Sequence, residues 1–282
     1  MTLLFIPTAH AAEWSLTATL NPSVKYDDNV FMAENETDSF IYAMSPTAII
    51  SRVQDTSDTS LSFGSAIDRY SSPSFLNKKN PFVRFDSNYQ MERSSWGIRA
   101  SYVESSSRTD AADDTGDFRT ESDLTTKTIS PSYSYQLTER DSLSIGGSYS
   151  QKTFSTTDFS DSKSRSLNTG WQHQFSERLS AGLNLSASNF QSDGPTTSTD
   201  DDNYNLSTTV NYKLSELWQL SGQIGMRKLN SSRSTNGISE TNSSSGSSFS
   251  FNASKTTELD TFSIALSRAL SPSSTGDVNE QD

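Results

Sequence analysis

One tetrapeptide pattern returns along this chain at nearly constant intervals. Leu137-Thr138-Glu139-Arg140, Phe175-Ser176-Glu177-Arg178, Leu214-Ser215-Glu216-Leu217 and Thr256-Thr257-Glu258-Leu259 set their glutamates 38, 39 and 42 residues apart. Met91-Glu92-Arg93-Ser94 and Gln54-Asp55-Thr56-Ser57 extend the series upstream. Self-similarity at a fixed period means that one structural unit is being repeated. Each tetrapeptide is flanked by alternating apolar and polar residues, as in Ser142-Leu143-Ser144-Ile145-Gly146-Gly147-Ser148-Tyr149. Alternation with a period of two on both sides of a short polar break is the pattern of a β-hairpin.

Between these short turns lie longer connections rich in Ser, Thr, Asp, Asn and Gly, near 27–38, 71–80, 105–121, 153–163, 191–203 and 229–246. Short and long connections alternate, and together the twelve of them delimit thirteen strands, most of 11 to 14 residues. Strands of globular proteins have a modal length of about 5–6 residues. A tilted strand that crosses a bilayer needs about 9–11, and outer-membrane barrels join such strands by short turns at one end and long loops at the other. The expected fold is all-β, an antiparallel up-and-down transmembrane β-barrel.

The two faces of the strands agree with this expectation. Trp218, Leu220, Gly222, Ile224 and Met226 alternate with Gln219, Ser221, Gln223, Gly225 and Arg227, and Tyr204, Leu206, Thr208, Val210 and Tyr212 alternate with Asn203, Asn205, Ser207, Thr209 and Asn211. A barrel in lipid turns its apolar face outward and its polar face inward. That inversion reconciles a mean hydropathy of -0.62 and 57 serines in 282 residues with an ordered fold. Aromatic residues near strand ends suit the headgroup level: Trp14, Tyr26, Tyr70, Trp96, Tyr102, Tyr135, Trp171, Phe175, Tyr212 and Trp218. Pro46 and Pro131 fall inside strands, where each removes a ladder donor, and local bulges are expected at both.

No apolar run reaches the length of a membrane-spanning helix. A net charge of -12 argues against nucleic acid as a partner, because phosphate backbones are bound by clustered Lys and Arg. The absence of cysteine excludes disulfides and thiolate metal sites. His173 is the one histidine beyond the N-terminal segment, and alternation puts it with Trp171 and Phe175 on the apolar face, where a catalytic base has no substrate. Asp200-Asp201-Asp202 lacks the glycine and ligand spacing of a calcium loop and reads as loop charge. No enzymatic activity, cofactor or metal is therefore expected.

Acidic residues crowd the long connections, among them Asp27, Asp28, Glu34, Glu36, Asp38, Asp110, Asp113, Asp114, Asp117, Asp158 and Asp161. The inward face carries a sparser set of both signs: Lys25, Asp68, Arg84, Asp86, Arg99, Lys213 and Arg227. These seven are the candidate pore-lining residues, since charged rings set what a pore admits. Pairing across strands is the alternative role for each.

Residues 1–12 read as the end of a secretory signal, with Ala9 and Ala11 supplying the small-x-small cleavage pattern, and residues 13–282 as the barrel domain. The segment Leu20-Asn21-Pro22-Ser23-Val24-Lys25-Tyr26-Asp27-Asp28-Asn29-Val30-Phe31, with Met44-Ser45-Pro46-Thr47 and the stretch from Leu266 to Gly276, resembles outer-membrane β-barrel porins found with exopolysaccharide and exosortase gene clusters. The resemblance implies the outer membrane of a Gram-negative bacterium, surrounding lipid and lipopolysaccharide, and a role in exporting or anchoring extracellular polysaccharide, with periplasmic export components as partners. It carries over no catalytic residue. An odd strand number and the lack of a terminal apolar strand lead us to expect a barrel continued by further C-terminal strands. A general diffusion porin and a non-conducting surface adhesin are the alternative functions. A soluble β protein would have to bury its apolar face against itself.

Overall fold

The computed structural model describes residues 12–31, 34–106, 122–257, 259–272 and 278–281. Thirteen long antiparallel strands account for most of them: β1 (Glu13–Asp27), β2 (Ser39–Gln54), β3 (Ser57–Tyr70), β4 (Lys78–Gln90), β5 (Ser94–Ser106), β6 (Asp123–Gln136), β7 (Asp141–Phe154), β8 (Asp161–Gln174), β9 (Leu179–Asp193), β10 (Thr197–Lys213), β11 (Trp218–Thr235), β12 (Ile238–Thr256) and β13 (Thr261–Pro272). A four-residue β14 (Val278–Gln281) pairs with the end of β13. The one helical element among the described residues is a 3-10 turn at Ser74–Leu76. The signal-like segment lies outside the described residues, apart from Ala12.

The chain forms two compact units. One comprises residues 1–92 and 96–129, the other 93–95 and 130–282, so β5 and β6 each contribute to both. Within each unit, neighbouring strands in the sheet are neighbours along the chain. This is the up-and-down order that short hairpin turns impose.

The short turns fall where the repeat places them, at 137–140, 175–178 and 214–217. The glutamate that makes the repeat visible is not what organises them. The Thr138 hydroxyl accepts the backbone N–H groups of Arg140 and Asp141, the Ser176 hydroxyl those of Arg178 and Leu179, and the Ser215 hydroxyl those of Leu217 and Trp218. Thr257 accepts from Asp260 in the same way. A hydroxyl two or three residues ahead of an amide substitutes for the ladder partner that a turn lacks. Ser215→Ala is accordingly expected to lower stability by about 1 kcal/mol in urea titrations of the vesicle-refolded protein. An unchanged midpoint would deny the hydroxyl this role.

The long connections are shorter than the sequence suggests in two places. Most of 191–203 and 229–246, expected as loops, is strand, which makes β10, β11 and β12 17, 18 and 19 residues long. The β11–β12 hairpin closes on Asn236 and Gly237, both at positive φ (50° and 82°). Two successive residues at positive φ match the right-handed twist of the flanking strands, and Asn-Gly supplies them at least cost. The expected bulge at Pro46 is also corrected. The β2–β3 register is the same on both sides of it, from Met44 opposite Ile67 to Thr47 opposite Gly64, so the ladder is interrupted without an inserted residue. Near Pro131, β6 continues unbroken.

Almost nothing in this sheet is a core. Among the described residues the buried apolar side chains are Val30, Leu76, Leu124 and Leu229. The first three belong to the first unit, at or near its long connections, where the Phe31 and Phe75 rings also stack with centroids 6.0 Å apart. Elsewhere the large apolar side chains are exposed, including Leu167, Leu185, Leu206, Ile224, Met226, Phe249, Ile264 and Leu266.

Candidate functional site

Register decides which side chains share a face. In the second unit Leu143 pairs with Trp171, Trp171 with Leu183, Leu183 with Thr208, Thr208 with Ile224, and Ile224 with Phe249. Directly opposed residues in an antiparallel ladder point to the same side. This row therefore runs across six strands on one face and ends on a seventh, β13, at Arg268 opposite Phe249. The rows toward the short turns include Val210, Tyr212 and Leu220, and those toward the long connections include Leu167, Leu185, Leu206 and Met226. On β10 the apolar stretch extends from Tyr204 to Tyr212, nine residues, which is what a tilted strand needs to cross a bilayer. Beyond it, β10 to β12 continue with polar residues on both faces, apart from the buried Leu229 and the exposed Ile238.

In each unit, taken by itself, aromatic residues paired with cations stand at the short-turn end. Arg52 lies 6.0 Å from the Trp14 ring, Arg93 5.5 Å from Tyr135, and Lys255 5.7 Å from Trp218. In the second unit His173 stands on the apolar face, its ring centroid 6.0 Å from that of Trp171 and 4.6 Å from that of Phe175. Asp141 Oδ1 lies 2.7 Å from His173 Nδ1 and accepts from the Trp171 indole at 3.2 Å. An apolar ring with a polar edge beside a cation suits the headgroup level. Tyr70, expected in this girdle, lies on the other side: it opposes Ile41, and alternation sets Ile41 against the exposed Tyr42.

The opposite face is the candidate functional surface. In the second unit it carries Ser144, Ser148, Ser166, Asn168, Asn184, Ser186, Asn205, Ser207, Thr209, Asn211, Gln223, Ser250 and Asn252. Their side chains bond across strands: Asn184 Nδ2 donates to Thr209 Oγ1 at 3.0 Å, Gln223 Nε2 to Ser207 Oγ at 2.9 Å, and Ser148 and Ser166 share a bond of 2.7 Å. Level with the apolar band, the charged side chains of the described residues on this face are Lys213 and Arg227. Arg227 Nε donates to Asn203 Oδ1 at 2.6 Å, and Asn203 in turn donates to Ser188. Phe190 also stands on this face, opposite Asp201 and Ser164, and is 42% exposed.

In the first unit the separation is less clean. Lys25 opposes Ile41, so apolar side chains of β2 share its face. Asp68 opposes Lys78, whose ammonium lies 2.8 Å from Asp123. Arg99 Nε lies 3.0 Å from Asp86 Oδ1, which joins two of the seven expected residues in an exposed ion pair. The Arg84 guanidinium lies 4.7 Å from the Phe82 ring. Phe82 is a polar-face aromatic that the sequence reading missed. The signal for it was available in the alternation Phe82-Arg84-Asp86.

No family model matches the chain, and neither does any curated protein. Solved structures do. Similar ones include the ferric-catecholate import receptor Fiu from E. coli K12, with TM-score 0.60, 10% identity and coverage of 82% of this chain and 53% of that one. The siderophore receptor PiuA from Acinetobacter baumannii gives 0.60, 8%, 92% and 49%, and the ferric citrate transporter FecA gives 0.58, 10%, 92% and 44%. The fold is that of outer-membrane β-barrel proteins. The chain spans about half the length of these structures, and at such identities the likeness is one of fold. A band of exposed apolar side chains as tall as a bilayer on a sheet of this fold belongs in a membrane, and the chain is an outer-membrane protein.

Proposed function

We propose that the chain forms the wall of an outer-membrane conduit for a polar, uncharged polymer, with extracellular polysaccharide as the cargo. One observation carries this reading: the face opposite the lipid-facing band is covered by hydroxyls and amides from β7 to β13, with two charges at band level. Such a surface exchanges hydrogen bonds with sugar hydroxyls as readily as with water, so a glycan slides without a deep energy well. The sequence resemblance to exopolysaccharide-associated porins points the same way. Lys25, Asp68, Arg84, Asp86, Arg99, Lys213 and Arg227 line the passage in this reading. The Asp86–Arg99 pair fills it and sets little selectivity, whereas Lys213 and Arg227 stand where passing solute meets them.

Planar-bilayer recordings of the protein test the proposal. Steady ohmic steps are expected, reduced reversibly by a neutral dextran and less by a polyanionic glycan of equal size. Replacing both Lys213 and Arg227 by glutamate should move the reversal potential in a salt gradient toward cation preference. Insertion without conductance would overturn the conduit reading and favour an adhesin, for which the polar extensions of β10 to β12 would be the contact surface.

A further inference from the structure

The lipid-facing side of the second unit is not uniform. Between β8 and β12 it holds an open depression of about 520 Å³, walled by Leu167, Leu185, Leu206 and Met226 and bounded by Tyr204 and Lys228. That volume lies in the range in which proteins hold small ligands. Its floor is low because Ala187, between Leu167 and Tyr204 in the same row, is too small to fill the space, and Ser245 ends that row beside Lys228. The depression lies in the part of the band nearest the long connections, the end that faces the cell exterior in barrels of this kind. An apolar recess facing lipid has an obvious class of occupant, a hydrocarbon chain. The charges above it narrow the choice.

Lys228 stands at the rim, Arg165 one row farther out and Lys163 one row beyond that, all exposed and on the same face. Two carboxylates share this zone, Asp200 and Asp202. Both accept from Asn189 Nδ2, at 2.7 and 3.0 Å, and Asp200 also accepts from Gln191 at 3.2 Å. They are turned toward the amides of β9, which leaves the cations on β8 and β11 to meet an anion from the membrane. Arg165 lies 6.0 Å from the Tyr149 ring, which steadies its planar guanidinium as a phosphate donor.

We propose that this depression with its cationic rim is a binding site for one phosphorylated, multiply acylated glycolipid of the outer leaflet, an acyl chain lying between Leu167 and Met226 and its phosphates held at Lys228 and, three strands away, at Arg165. The chemistry requires both halves. A recess without cations would accept any acyl chain, and cations without a recess would hold any anionic headgroup loosely. Phosphate and acyl chain on one rigid sugar scaffold engage the two at once, which raises affinity through effective concentration.

The test is retention of lipid by the detergent-extracted protein, read as bound mass in native mass spectrometry. Diphosphorylated lipid A should stay bound. The same lipid A stripped of phosphate, and phosphatidylglycerol of similar chain length, should each be retained about tenfold less. Lys228→Gln combined with Arg165→Gln should abolish the preference for phosphate, and Ala187→Phe, which fills the recess, should weaken retention of both lipid A forms. These positions lie on the exposed face, and channel conductance should be unaffected by the changes, which separates this site from the conduit. Equal retention of phosphatidylglycerol and lipid A, or an unchanged preference in the double variant, would overturn the proposal.

Discussion

Arginine in place of Ile224 is expected to destabilise the membrane-inserted protein by about 2–4 kcal/mol, while arginine in place of Ser250 costs far less. The two positions test the assignment of faces at one depth. Ile224 is 68% exposed and sits in the central apolar row between Thr208 and Phe249. Ser250 opposes Gln223 on the other face, one residue from Phe249 along β12. A guanidinium at Ile224 must either enter hydrocarbon or drag water and headgroups toward it. At Ser250 it meets a surface of hydroxyls and amides already solvated. Equilibrium unfolding by guanidinium from lipid vesicles measures both. Equal losses at the two sites would mean that the faces are not divided between lipid and water, and the soluble alternative, with its apolar face buried against itself, would regain its claim.

That division was legible in the sequence because alternation with a period of two needs no tertiary information. The clean alternation of Trp218 to Arg227 fixed the faces of β11, and the register then carried the same assignment to its neighbours. Turn positions were equally legible, though for a reason the sequence hid: the glutamates drew attention, while the hydroxyls of Thr138, Ser176 and Ser215 hold the turns. Strand ends beyond the membrane band were not legible. Where both faces meet water, Ser, Thr and Asn on a strand look like a loop, and Ser231 to Ser245 offered no apolar alternation to follow. The Asn236-Gly237 pair was the available signal, since that dipeptide between extended segments marks a tight hairpin. Side-chain position across a sheet was the other gap. For Asp86 and Arg99 the sequence leaves lining and cross-strand pairing both open, and only the fold shows that they pair with each other, at 3.0 Å. The recess around Ala187 likewise depends on four strands aligning a small residue between large ones, which no single stretch of sequence reveals.

Gly64→Ala is expected to destabilise the first unit by about 1–3 kcal/mol, a large effect for one added methyl group on a sheet with so little core. A Cβ at this position would run into the carbonyl oxygen of Pro46 and lie 2.8 Å from Cζ of Phe82. The first contact is with backbone and cannot be relieved by a rotamer change. It also falls where the β2–β3 ladder is already interrupted, since Pro46 has no N–H to donate. The second contact shows what the glycine permits. Phe82, directly opposite on β4, lays its ring across the site where a side chain would stand, which covers the half-buried glycine backbone and carries Arg84 against its own face. A pair of variants separates the two contacts. If the ring is the obstacle, Phe82→Ala should recover most of the loss when combined with Gly64→Ala, although Phe82→Ala alone also destabilises. If the carbonyl is the obstacle, the losses should add. A Gly64→Ala protein as stable as the parent would mean that β2 can retreat from β3 at no cost, and the close approach at Pro46 would then hold nothing together.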